Sequence, residues 1–123
     1  MTLKELYEKI GGDYDQAMKV LRIEKLLDKH IRKFAQNGVM EELLSAGRSM
    51  NPEKLFEASH AAKGVCSNLA LKDLAMGATV ITEEFRPGNE RKLSDAQVKE
   101  TLTRLESDYK KTVEGIQEYI AQA

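Results

Sequence analysis

The chain's most concentrated set of reactive residue types is His60, with Lys63 three positions on and Gly64 four positions on. At about 3.6 residues per turn this spacing puts all three on one side of a helix. The set is an imidazole, a cation one turn away and a position with no side chain. Free imidazole titrates near ~6.5, so near neutrality much of it is an uncharged nucleophile. An ammonium one turn on can neutralise negative charge placed on the ring. Glycine inside a helix costs about 1 kcal/mol relative to alanine, so Gly64 calls for a reason, and room for a bulky group on the ring supplies one. A phosphoryl group suits all three features.

Few rivals exist. The chain has two histidines, one cysteine, no tryptophan and no glycine-rich phosphate loop. No metal-ligand cluster or acid–base pair is spaced to activate ATP, so a phosphoryl would arrive from one partner and leave to another. No cofactor and no metal are expected.

These residues need a helix that holds them outward. Asn51-Pro52 is a helix start, with asparagine as N-cap and proline at the first helical position. On a wheel drawn from Pro52, Leu55, Ala58, Ala62, Val65 and Leu69 form the buried stripe, with Cys66 at its edge. His60, Gly64 and Ser67 fall roughly 140° to 200° from that stripe, and Lys63 and Phe56 flank the same outer face. A histidine packed in the core should share the apolar stripe, and His60 does not. Ser67 adds a hydroxyl able to donate to an oxyanion. Phe56, one turn before His60, is read as a docking anchor for a partner, with packing against a neighbouring helix as its equal alternative. Asn68 lies on the flank.

The rest of the chain reads as helices. Thr2 with Glu5 makes a capping box for a short first helix, ended by Gly11-Gly12. Asp13 with Gln16 caps a long helix running over residues 13 to about 36, before Asn37-Gly38. A short helix covers 39 to about 49 and weakens around Gly47. The helix from Pro52 runs to about Leu69, breaks near Ala70, and resumes from Leu71 to about Arg86. Pro87-Gly88-Asn89 makes a loop, and Ser94 with Gln97 caps a last helix reaching Ala121. Apolar steps of three and four mark the seams: Leu71, Leu74, Ala78, Ile81, Phe85, then Val98, Leu102, Leu105, Tyr109, Thr112, Ile116, Tyr119. The expected fold is all-α, an up-and-down antiparallel four-helix bundle with short additional N-terminal helices, in one domain over residues 1–123.

Bulk properties exclude several classes. With 19 basic and 20 acidic residues the net charge is -1, which gives no electrostatic reason to expect nucleic acid or an anionic membrane. No apolar run is long enough to span a bilayer, and the N-terminal residues show no signal-peptide core. The single Cys66 cannot form an internal disulfide and suits a reducing compartment. A soluble, cytoplasmic monomer is expected.

The motif His60-Ala61-Ala62-Lys63-Gly64, followed by Val65-Cys66-Ser67-Asn68-Leu69-Ala70-Leu71, resembles the signature of histidine-containing phosphotransfer (HPt) domains. Gly11-Gly12-Asp13 and the helix after it are similar to that family's N-terminal region. The resemblance implies a four-helix bundle whose exposed histidine shuttles phosphoryl groups between receiver-domain aspartates, downstream of a histidine kinase. It implies that His60 is the phosphoryl acceptor, that Lys63 is the cation beside the phosphoryl, and that Gly64 makes the space. The receiver would supply the metal-assisted site, and the carrier would have no kinase site of its own. Ala70 departs from the pattern, since the family often has a second glycine there. Ser67 and Asn68 lie in a variable stretch, so a phosphoryl-stabilising role for Ser67 and a docking role for Asn68 carry over weakly.

Other groups read as structural. His30 sits near the edge of its helix's apolar stripe, partly buried or solvated, and Cys66 is a small buried hydrophobe. Lys29, Arg32 and Lys33 form a solvated face that can steer an acidic partner. Two rival functions stand beside phosphotransfer: a helical adaptor that is never phosphorylated, and the phosphotransfer module of a larger chemotaxis-type kinase. No ATP-binding region follows and the chain ends on a helix at Ala123, so a free-standing relay protein is the simpler expectation.

Overall fold

The computed structural model describes residues 1–122, and they are all-helical, with no strand among them. The helices are α1 (Leu3–Ile10), α2 (Tyr14–Leu21), α3 (Glu24–Phe34), α4 (Val39–Ser49), α5 (Pro52–Asn68), α6 (Lys72–Phe85) and α7 (Asp95–Ala121). The last position, Ala123, where the chain was expected to end on a helix, lies outside the described residues.

Most boundaries follow from capping chemistry. Thr2 Oγ1 accepts from the Glu5 amide at 3.1 Å while the Glu5 carboxylate accepts from the Thr2 amide at 2.9 Å, satisfying two of the free amides at the start of α1. Ser94 and Gln97 repeat the arrangement at α7, at 3.1 and 2.9 Å. Asn51 Oδ1 accepts from the Lys54 amide at 3.1 Å and Pro52 opens α5. Gly38 stands at φ 78°, with Asn37 Oδ1 accepting from Val39, and starts α4 just after α3 has ended.

The expected long helix over residues 13 to about 36 is a correction. It is two helices, broken where Arg22 adopts φ 65° and Ile23 becomes the N-cap of α3. Across the break the Tyr14 hydroxyl donates to Glu24 at 2.6 Å, holding α2 and α3 together. The bend lets α2 pack on α1, α3 and α5, while α3 reaches α7. Gly47, expected to weaken its helix, is continuous with α4. A Cβ there would stand 2.7 Å from Leu102 Cδ1, so the missing side chain lets α4 and α7 close up.

α5 and α6 form a helical hairpin with the most extensive packing in the molecule. Thr82 Oγ1 stands 2.9 Å from Ser59 Oγ across that seam and 2.8 Å from the Ala78 carbonyl, its single proton shared between the two acceptors. α7, about 40 Å long at 1.5 Å per residue, runs against α6, α1, α4 and α3. Its stripe buries Val98, Leu102, Leu105, Tyr109, Thr112 and Ile116, as the periodicity predicts. Tyr119 is half-buried, and its hydroxyl reaches Asp28 on α3. The α6 stripe of Leu74, Ala78, Ile81 and Phe85 is likewise buried.

Candidate functional site

The turn after α5 fixes how that helix is presented. Its end wraps back on itself: the Ala70 amide donates to Ser67 at 3.0 Å and the Leu71 amide to Cys66 at 2.9 Å. Ala70 takes φ 53°, the left-handed geometry that glycine accepts most easily. The N-terminal segment clamps this turn. The buried Tyr7 hydroxyl donates to the Leu69 carbonyl at 2.8 Å, and the Asp13 amide donates to the Ala70 carbonyl at 2.9 Å. Gly12 makes the approach possible, since a Cβ there would fall 2.6 Å from the Tyr7 ring. So the Gly11-Gly12-Asp13 segment works as a brace on the far end of the motif helix.

With α5 held this way, its buried face is Leu55, Ser59, Ala62 and Cys66, followed by Leu69. This corrects the expected stripe. Ala58 and Val65 are only half-buried, and Cys66 lies at the centre rather than the edge. The rotation follows from Ser59: its hydroxyl is fully paired with Phe56 O at 3.1 Å and with Thr82, so a polar side chain sits inside without penalty. Burial pushes the Cys66 thiol up to about 12, which keeps it protonated and unreactive at neutral pH.

His60 points outward. It is exposed, and its ring stacks on Phe56 with centroids 5.5 Å apart and planes 24° from parallel. Phe56 is half-buried against the core, so it supports the imidazole from below and limits its rotation. Lys63, one turn on, is half-buried. Gly64 is exposed, and a Cβ built there meets nothing within 4 Å. The space beside the ring is open.

No family model, no curated protein and no solved structure matches the chain. The site stands on its own geometry.

Ser67 and Asn68 are both exposed. Ser67 continues the outer line about 10 Å along the axis from His60. Asn68 turns instead toward α3, where it lines an apolar groove of about 300 Å³ with Leu21, His30, Lys33, Val65 and Leu69. His30 is exposed at that groove and far in sequence from the motif. Among the described residues no three His, Cys, Asp or Glu side chains converge on a point where a metal could sit. Among the described residues no helix is long and apolar enough to cross a membrane.

Two residues of this face were not anticipated from the sequence. Arg86, at the end of α6, places its guanidinium carbon 5.5 Å from the Phe56 ring centroid. Glu83, one turn before, accepts from Arg86 Nε at 3.2 Å and Nη2 at 3.0 Å. Arg86, and more weakly Lys63, hold the Glu83 carboxyl below the usual carboxylate range. The only signal in the sequence is a Glu–Arg pair at i, i+3. Connecting it to His60 needs the α5–α6 register that Ser59 and Thr82 set.

Proposed function

We propose that the protein is a histidine phosphotransfer protein of a two-component phosphorelay. It accepts a phosphoryl group on His60 from a receiver-domain aspartate or a kinase, and passes it to another receiver domain. The observation that carries this reading is the outward His60 ring, propped on Phe56, with Lys63 one turn away and open space at Gly64. A structural histidine has no use for that vacancy, and a phosphoryl does. On this reading α4, α5, α6 and α7, each packed on the next and α7 back on α4, form the four-helix up-and-down antiparallel bundle of such carriers, with α1, α2 and α3 as additional N-terminal helices. The protein works as a monomer in the cytoplasm, where its donors reside.

The chemistry follows from the geometry. The lone pair of the outward ring nitrogen attacks phosphorus of the aspartyl phosphate in line. The N–P bond forms as the P–O bond breaks, and the electron pair leaves with the aspartate carboxylate. The ring's other nitrogen keeps its proton, and Lys63 offsets the negative charge that has moved onto the carrier. Transfer to the next receiver is the same step reversed, so the carrier needs no acid–base machinery. Phe56 on one side and the Asn68 groove on the other give a receiver apolar surface flanking the ring.

Incubation with a phosphorylated receiver domain tests this. Acid-labile label should appear on the wild-type chain and be lost completely in His60→Gln, with the helical content unchanged. Label persisting on His60→Gln, or none on the wild type, sinks the assignment; the second outcome leaves the adaptor reading.

A further inference from the structure

Glu83 stands among the cations of the His60 face without contributing to the core. Its side chain is 49% exposed and that of Arg86 38%, so their two-pronged pair is open to water and weakly held. The same guanidinium lies against Phe56, whose other neighbour is the His60 ring. Arg86 is therefore no farther from that ring than the two separations laid end to end. Lys63 also feels the Glu83 charge. One carboxylate thus pairs with Arg86 and lies in the field of Lys63, the cation one turn from the imidazole. Asn89 Nδ2 donates to the Glu83 carbonyl at 3.0 Å and steadies the last turn of α6 on which the pair is mounted.

We propose that Glu83 is a resident counter-ion for the His60 face: it holds Arg86 while the ring is bare and yields it to the phosphoryl when the ring is loaded. This rests on the phosphotransfer reading. The exchange is favoured by charge and shape. A phosphoryl offers nearly two negative charges and three acceptor oxygens, against one charge and two oxygens for a carboxylate. The planar arginine fork can turn from one to the other and keep two hydrogen bonds throughout. Loading His60 then requires breaking the Glu83 pair, which raises the energy of the loaded carrier. Glu83 sets the transfer potential in the direction a relay needs, toward release.

Phosphoramidate tests both levels with no partner protein. The ring nitrogen forms the N–P bond, the phosphoramidate P–N bond breaks, and ammonia leaves with that electron pair. At a fixed ratio of phosphoramidate to ammonium, the plateau of His60 labelling by ³¹P NMR reads the equilibrium. Glu83→Gln should raise the loading equilibrium about threefold, the scale of one exposed charge pair. On an Arg86→Ala background most of that gain should vanish. An unchanged plateau in Glu83→Gln overturns the exchange, as does a gain that survives intact without Arg86, which would be plain charge repulsion. In both cases His60 is still labelled and phosphotransfer stands. No label on the wild-type chain overturns both.

Discussion

Glu83 and Glu84 are neighbours on α6, and each meets an arginine, yet the two pairs do opposite work. Glu83 faces the His60 side with its side chain 49% exposed and has Arg86 as its partner. Glu84, 4% exposed, turns inward to the loop before α7. Its carboxylate accepts from Arg91 Nε at 2.9 Å, from the Lys92 amide at 3.1 Å and from the Leu93 amide at 3.0 Å. Arg91 also donates to Asp95 at 3.0 Å and lies 4.6 Å from the Phe85 ring centroid. One carboxylate closes a connection between helices, while the other stands half-exposed on the arginine that covers Phe56. A one-residue step on a helix turns a side chain by roughly 100°, which is enough to separate a clasp from a site.

Removing the two carboxylates is the strongest way to break this comparison. Glu84→Ala strips the Lys92 and Leu93 amides of their acceptor and should cost about 3 kcal/mol in urea unfolding. Glu83→Ala removes an exposed pair and should change stability by less than about 0.5 kcal/mol. Equal losses would mean that Glu83 also holds the fold, and the functional side of the contrast would collapse.

Two glycines sharpen it at a smaller scale. A Cβ at Gly77 would stand 2.5 Å from Leu105 Cδ2 and 2.8 Å from its Cγ, whereas one at Gly64 meets nothing within 4 Å. Gly77→Ala gains about 1 kcal/mol of helix propensity and loses about 1–3 kcal/mol by overpacking α6 against α7. Gly64→Ala keeps the gain with no clash, so it should raise stability by up to about 1 kcal/mol. The same methyl fills the space beside His60 and should slow phosphoryl loading. A Gly64→Ala protein that loads at the wild-type rate would remove the reason for glycine at this position.

The contrast also shows what was legible in the chain. Thr2, Asn51 and Ser94 announce helix starts because an N-cap bond is local, spanning three residues. The outward face of His60 was legible for a similar reason, since only α5 decides it. What failed needed a second element. Ser59 lies outside the predicted apolar stripe and is buried because Thr82 on α6 supplies its partner, so the buried face is rotated away from Ala58 and Val65. The break at Arg22 has no glycine, proline or asparagine to mark it; packing of α2 on α1 and α5 imposes it on an arginine. Arg86 and Glu83 join the site only through the hairpin register. Ala70 sits between these cases: the turn was expected there, and its left-handed backbone without a glycine is held by Tyr7 and Asp13 from outside.

Acid titration gives the finest separation of the two carboxylates. Burial works to raise the Glu84 carboxyl, but the Arg91 guanidinium and the Leu93 and Lys92 amides outweigh it and hold it below the usual carboxylate range. Arg86, with lesser help from Lys63, lowers the Glu83 carboxyl in the same direction. For a carboxyl lowered in the folded state, the stabilisation is fully present above its unfolded pKa, near ~4.3, and is lost as pH falls through the lower folded value. Both residues should therefore make wild-type stability fall on the acid side of that point, and Glu84→Gln and Glu83→Gln should each flatten the fall. Salt tells them apart. The Glu84 contribution comes from a buried carboxylate and fixed amides, so it should persist at 1 M salt, where the Debye length is about 3 Å. The Glu83 contribution, between exposed side chains, should fade. Melting temperatures of the two variants against wild type, at pH 3 to 6 in low and high salt, check this. A Glu83→Gln difference that survives high salt would show its pair with Arg86 to be too firm to yield to a phosphoryl.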